Sequence, residues 1–151
     1  MAHSAVAATA LTPYCLRLSP GDDLKQCLQS FTESQAIAAG CILTTVGSLQ
    51  QASLRFAGQD RATLLTGRFE IVSLVGTLSP EGLHLHLAIA DSQGQMIGGH
   101  VMPGCLIYTT AEIVVGGLSG VTFQRRLDAQ TGYRELEIAG GTPDESTRLT
   151  D

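Results

Sequence analysis

Residues 83–100 read LHLHLAIADSQGQMIGGH, and the spacing inside this stretch decides the fold. His84 and His86 are two apart, so on a β-strand they share one face. Asp91-Ser92-Gln93-Gly94 signals a type I turn followed by a left-handed glycine, the signature of a three-residue hairpin loop. Such a loop pairs Asp91 with Gln95. Counting back from it sets His86 directly opposite His100, with His84 diagonally beside them. A bulge at Gly98-Gly99 would instead turn His100 to the other face.

Outward from the hairpin, the chain reads as strands following a helix. Tyr14–Ser19 alternates as a strand. Pro20-Gly21-Asp22-Asp23 opens a helix with acidic residues where the dipole favours them. Leu24, Cys27, Leu28 and Phe31 form its apolar stripe, and Cys27 is read as core on that account. Ala38-Ala39-Gly40 ends the helical region, with a second short helix expected near Thr32–Ala39. Strands are expected at Cys41–Leu49, Gln51–Ala57, Gly67–Ser79, Leu83–Asp91, Gln95–Val101, Leu106–Val115, Val121–Leu127 and Tyr133–Ile138. The pattern is α+β: a mainly antiparallel sheet with one or two packed helices. The expected organisation is a loose lead-in over residues 1–12, one domain over 13–139 and a flexible tail over 140–151.

The 151 residues are 44% hydrophobic and only 15% charged, a balance that favours an oligomer hiding some surface. The net charge is −5 and Lys25 is the single lysine, so the basic footprint of a nucleic-acid binder is missing. Arg125-Arg126, the adjacent basic pair, reads as a solvated strand end. Cys15, Cys27, Cys41 and Cys105 show no CxxC spacing, and no secretory leader or membrane span is legible, so reduced thiols in the cytoplasm are expected. His3 falls in the lead-in and is given no role.

Three gathered imidazoles suit zinc or another divalent transition metal, and catalytic zinc sites commonly use three protein ligands plus water. His84, His86 and His100 are therefore the candidate ligands. Catalysis would also need a general base near the ion. Glu112 and Asp91 are the nearest carboxylates in sequence; Asp91 has a competing job in the turn, and Glu112 is kept as a candidate partner beside the metal. Gly67-Arg68-Phe69-Glu70-Ile71-Val72 alternates, with Phe69 and Ile71 on one face and Arg68, Glu70 and Val72 on the other. An ordinary amphipathic strand with an ion pair on its charged face explains it equally. No phosphate-cradling loop, nucleophile elbow or HExxH helix occurs, and Ser119 between glycines reads as a turn residue. No catalytic residue is assigned.

The order of LRLSPGDDL, GRFEIV, SLVGTLS, LHLHLAIADSQGQMIGGHV, TTAEIVVG and TGYRELEI resembles the PPC domain shared by plants and prokaryotes, over about Tyr14–Ile138. The resemblance implies a sandwich-like fold with a mainly antiparallel sheet, and a homotrimer. In the plant proteins the domain follows AT-hook motifs and mediates contacts with other transcription regulators. The family's partner-binding hexapeptide maps onto Gly67 through Val72, with Val72 replacing a leucine. The AT-hook core, Arg-Gly-Arg-Pro, does not occur here. Direct DNA binding, the label attached to stand-alone members, is accordingly not expected of the bare domain. The three histidines match the family's LHxH…GGH pattern. The expectation is a stand-alone member, a homotrimeric interaction or regulatory module with regulatory proteins as partners; the alternative is a zinc-binding protein or metal-dependent enzyme.

Overall fold

The structure, a computed structural model, describes residues 5–140. His3 and the tail beyond Gly140 lie outside the described residues. The elements run β1 (Ala10–Leu18), α1 (Leu24–Ser34), β2 (Gly40–Arg55), β3 (Thr63–Leu78), β4 (His84–Ala90), β5 (Met96–Val101), β6 (Leu106–Ser119), β7 (Val121–Leu127) and β8 (Arg134–Gly140). Every strand pairing is antiparallel, so the α+β expectation is met. Six strands form one sheet in the order β1-β6-β2-β3-β4-β5, and β7-β8 form a separate hairpin.

The large sheet curls back on itself. Its last strand, β5, also pairs with the end of β2, through Leu54↔Val101 and Arg55↔His100. Two features allow this closure. The ladders of β2 shift register at several points, and such irregularities bend a strand. Gly99 supplies the second: a Cβ there would lie 2.9 Å from the Arg55 carbonyl oxygen, so β5 reaches β2 only without a side chain at this position. The two strands expected at Cys41–Leu49 and Gln51–Ala57 are consequently one 16-residue strand that bends instead of turning.

Inside the curl, Leu49, Leu54, Leu78, Leu85, Ile89 and Val101 are completely or almost completely buried, together with Leu24 and Leu28 from α1. The helix is held where the sequence places it. Asp23 caps it, Oδ1 accepting from the backbone N–H of Lys25 (3.0 Å) and Gln26 (3.1 Å), while Oδ2 accepts from Gly104 N–H (2.6 Å) and ties the helix start to the segment before β6. Cys27 packs against the core as expected, and the four cysteines are free thiols.

Two local expectations are corrected. The lead-in is shorter than twelve residues: β1 begins at Ala10, paired with Ser119 of β6, rather than at Tyr14. No second helix occurs near Thr32–Ala39, and the helical region ends at Ser34. There Ile37 N–H donates to Thr32 O and Ala36 N–H to Glu33 O, each at 3.0 Å, with Ala36 at φ +51°. This is the Schellman termination, built on alanine where glycine is usual. It turns the chain so that Ile37 enters the core.

Alanine in a left-handed conformation costs about 1–2 kcal/mol, and the Ala36 methyl is exposed, so nothing packs on it. Ala36→Gly should therefore raise the unfolding free energy in urea by about 0.5–1 kcal/mol, the strain relieved exceeding the chain entropy that glycine adds.

Candidate functional site

The hairpin β4–β5 has the register read from its turn. Asp91 N–H donates to Gln95 O (3.0 Å), Gly94 has φ +79°, and Asp91 Oδ1 accepts from the N–H of Gln93 and Gln95 at 2.8 and 2.9 Å. Asp91 is thus occupied by the turn. The ladder runs without a shift from Ala90↔Met96 to His86↔His100, so Gly98-Gly99 form no bulge. Leu85, Leu87 and Ile89 point into the core, which leaves His84, His86 and His100 on the outer face.

One ring nitrogen from each of the three histidines lies within 4.8 Å of the others. His84 Nε2 and His86 Nε2 are 3.3 Å apart. Zinc–nitrogen bonds of about 2.0–2.1 Å in tetrahedral geometry place two ligand nitrogens about 3.3–3.4 Å apart. The donor set therefore fits a divalent ion that accepts imidazole, with a coordination position left for water or a ligand.

The surroundings of His84 and His100 disfavour the charged form, and neutral imidazole is the form that ligates metal. Burial lowers the His100 pKa from 6.5 to about 4, with the Lys25 and Arg55 charges adding to the effect. His84 is shifted the same way, by burial, then by His86 and Arg125. Lys25 Nζ donates to the Val101 carbonyl (2.8 Å), one residue from His100, and burial lowers its own pKa.

The register also orders the neighbours. Val75, His86, His100 and Arg55 form one row across β3, β4, β5 and β2, and Thr77 faces His84 in the next row. Above this face lies the β7–β8 hairpin. Arg125 Nη2 donates to Thr77 Oγ1 (2.9 Å), and Glu81 Oε2 accepts from Arg125 N–H (2.9 Å). Between hairpin and sheet is a cleft of about 430 Å³, lined among others by Arg55, His84, His100, Arg125 and Tyr133.

Arg125 corrects the expectation of a solvated basic pair. Arg126 is exposed and pairs with Glu137 (3.4 Å), but Arg125 is only 8% exposed. Val121, Phe123 and Arg125 share the inward face of β7, so the period-2 pattern held the signal. Glu112 is not brought to the imidazoles. It is exposed on β6, opposite Arg17 of β1 and Val46 of β2, and is not among the cleft-lining residues.

The Gly67–Val72 segment lies on β3 as read, Ile71 buried and Phe69 half-buried, Arg68, Glu70 and Val72 exposed. Arg68 makes no ion pair with Glu70; its guanidinium carbon sits 5.0 Å from the centre of the Tyr108 ring. Val72 falls at a register shift between β3 and β4. Exposed Leu43 and Val46 on β2 and Val72 and Val75 on β3 leave apolar side chains on the outside of two paired strands.

The same overall fold recurs in known proteins. The Bifunctional protein GlmU of Synechococcus sp. (strain JA-3-3Ab) is 54% identical over 129 residues, 85% of this chain and 21% of that protein. The chain thus spans about a fifth of that relative's length. AT-hook motif nuclear-localized protein 20 of Arabidopsis thaliana is 31% identical over 140 residues, 87% of this chain and 50% of that one. A hypothetical protein from Salmonella enterica has a solved structure of TM-score 0.87 at 46% identity, covering 89% of this chain and 97% of its own. A metal-containing protein from Archaeoglobus fulgidus superposes with TM-score 0.78 at 26% identity, over 89% of this chain and 99% of its own. The Plants and Prokaryotes Conserved (PCC) domain matches residues 5–119, the whole six-stranded sheet and its helix. The chain belongs to that family.

Proposed function

We propose that this protein binds a divalent metal ion, zinc in the first instance, through His84, His86 and His100, and presents the ion's open side to a small ligand. The observation that carries the reading is the 3.3 Å separation of two ring nitrogens on adjacent like-facing positions, with the third imidazole fixed opposite by the ladder. The similarity to an archaeal protein described as metal-containing supports it. Zinc would act there as a Lewis acid and lower the pKa of bound water. The chain's own residues favour neutral His84 and His100, and the β7–β8 hairpin roofs the site. The free thiols suit a reducing compartment, which we take to be the cytoplasm, and among the described residues no helix is long and apolar enough to cross a membrane.

A second reading concerns assembly and is compatible with the first. The apolar side chains exposed at Leu43, Val46, Val72 and Val75 form the kind of patch that a further copy or a regulatory protein would cover. We propose a homotrimer that uses this face and the adjoining Gly67–Val72 strand. Direct DNA contact forms no part of the proposal: the acidic chain has no AT-hook core.

Metal analysis of untagged protein should find close to one divalent ion per chain, and His86→Ala should reduce it to roughly a tenth or less. Wild-type protein that neither carries nor takes up zinc would refute the metal reading. Light scattering should give about three times the 15.8 kDa chain mass, and Val46→Glu with Val72→Glu should give monomers, because a buried unpaired carboxylate is costly. A wild-type monomer would refute the trimer.

The imidazoles also set a pH dependence for the metal-free protein. Between about pH 6.5 and 4 the unfolded chain takes up a proton that folded His100 refuses, so stability must fall as pH is lowered through this window. Urea midpoints in EDTA should decline from pH 7 to 4.5, and His100→Asn should flatten the decline.

A further inference from the structure

We propose that the cleft beside the three histidines binds the oxyanion head of a small molecule, a carboxylate or phosphoryl group, gripped by Arg55 and Arg125. The inference deepens the metal reading and rests on it only for the ion's share of the contact; the arginine grip stands on its own geometry.

Arg125 is the anchor. It is 8% exposed, lines the cleft, and its guanidinium has one side-chain hydrogen bond, to Thr77 Oγ1. Glu81 Oε2 accepts from the Arg125 backbone N–H, but among the described residues no carboxylate oxygen lies within 4 Å of the guanidinium nitrogens, since the ion pairs are Arg126–Glu137 and Arg134–Glu81. A guanidinium so far withdrawn from water is costly unless an anion answers it. Arg55 stands on the sheet side, next to His100 in the strand register, and among the described residues its side chain makes one hydrogen bond, at 3.5 Å to the Gln59 carbonyl.

The other charges of the cleft are already committed. Arg134 lies 3.8 Å from Glu81 and donates twice to the Arg125 carbonyl, and Glu135 accepts from the Thr131 hydroxyl. Three arginines thus face two carboxylates, so the cleft carries net positive charge in a chain whose net charge is −5, and Arg55 and Arg125 are the guanidiniums without a carboxylate partner among the described residues. Guanidinium forks match the planar pair of oxygens of a carboxylate or phosphoryl group. A cleft of about 430 Å³ suits a small molecule and not a polymer. Arg125 lies beyond residues 5–119 that match the domain family, on the β7–β8 hairpin that forms this wall.

The test is calorimetric titration of the full chain with succinate and with methylphosphonate, each into zinc-loaded and EDTA-stripped protein. The expected result is one-to-one binding of at least one probe to the zinc-loaded protein. Arg55→Gln and Arg125→Gln should each weaken it by about tenfold or more, and Arg126→Gln by less than about twofold. Which probe binds decides between the carboxylate and the phosphoryl head. If neither gives heat at about 10 mM although zinc is bound, the proposal is overturned and the metal reading survives. If a probe binds but zinc does not, the arginine site stands and the metal reading falls. Undiminished binding in Arg55→Gln, whose side chain is half-buried, also overturns the proposal even should Arg125→Gln fail to fold.

Discussion

A slip of one residue between β4 and β5 would send His100 into the core and bring a glycine opposite His86. The ladder is held against that slip from both of its faces. On the inner face, Leu85, Leu87 and Ile89 can be buried in only one register. At the hairpin end, the Asp91 carboxylate holds the loop through two backbone N–H groups. The far end is pinned by the pairing of Arg55 with His100. Hydrophobic burial on one face therefore fixes imidazole geometry on the other, and the polar site needs no stabilising interactions of its own.

The closure of the sheet has an electrostatic result. Because β5 meets β2, an arginine is set beside a histidine, and the lone lysine reaches the same strand end through Val101 O. Partial burial disfavours protonation of His100, and the cations gathered around it act in the same direction. A ring that stays neutral keeps its lone pair for an ion or a hydrogen-bond donor. The same cations prefer an anionic neighbour, so the metal-ligating and oxyanion-binding tendencies of this face arise from one arrangement.

Local features of this structure were legible in the sequence; those that depend on remote partners were not. The histidine row could be read because period-2 alternation and a glycine-closed loop fix a register without any long-range information. The helix start was legible from Asp23 and the stripe at Leu24 and Leu28. Its end was not, because a left-handed turn at Ala36 uses a residue that gives no warning of it. The sequence reads as two strands separated after Leu49, although the chain continues there as one bent β2. Arg125 was masked by its neighbour: read as a pair, Arg125-Arg126 looks solvated, but read by alternation Arg125 follows Val121 and Phe123 inward. The meeting of β5 with β2, and so the place of Arg55, depends on the whole curl of the sheet. No local pattern encodes it.

The pairing of β1 with β6 joins Ala10 to Ser119 and Leu18 to Ala111. In the large sheet β1 has no other partner among the described residues. During synthesis the first strand thus emerges long before the one strand that can satisfy its backbone. Until then it is an open edge carrying unpaired amides, while β3, β4 and β5 can pair with near neighbours as they appear. Folding of this chain is accordingly expected to proceed from the histidine hairpin outward and to close at its N-terminal edge last, with a rate governed by that remote pairing.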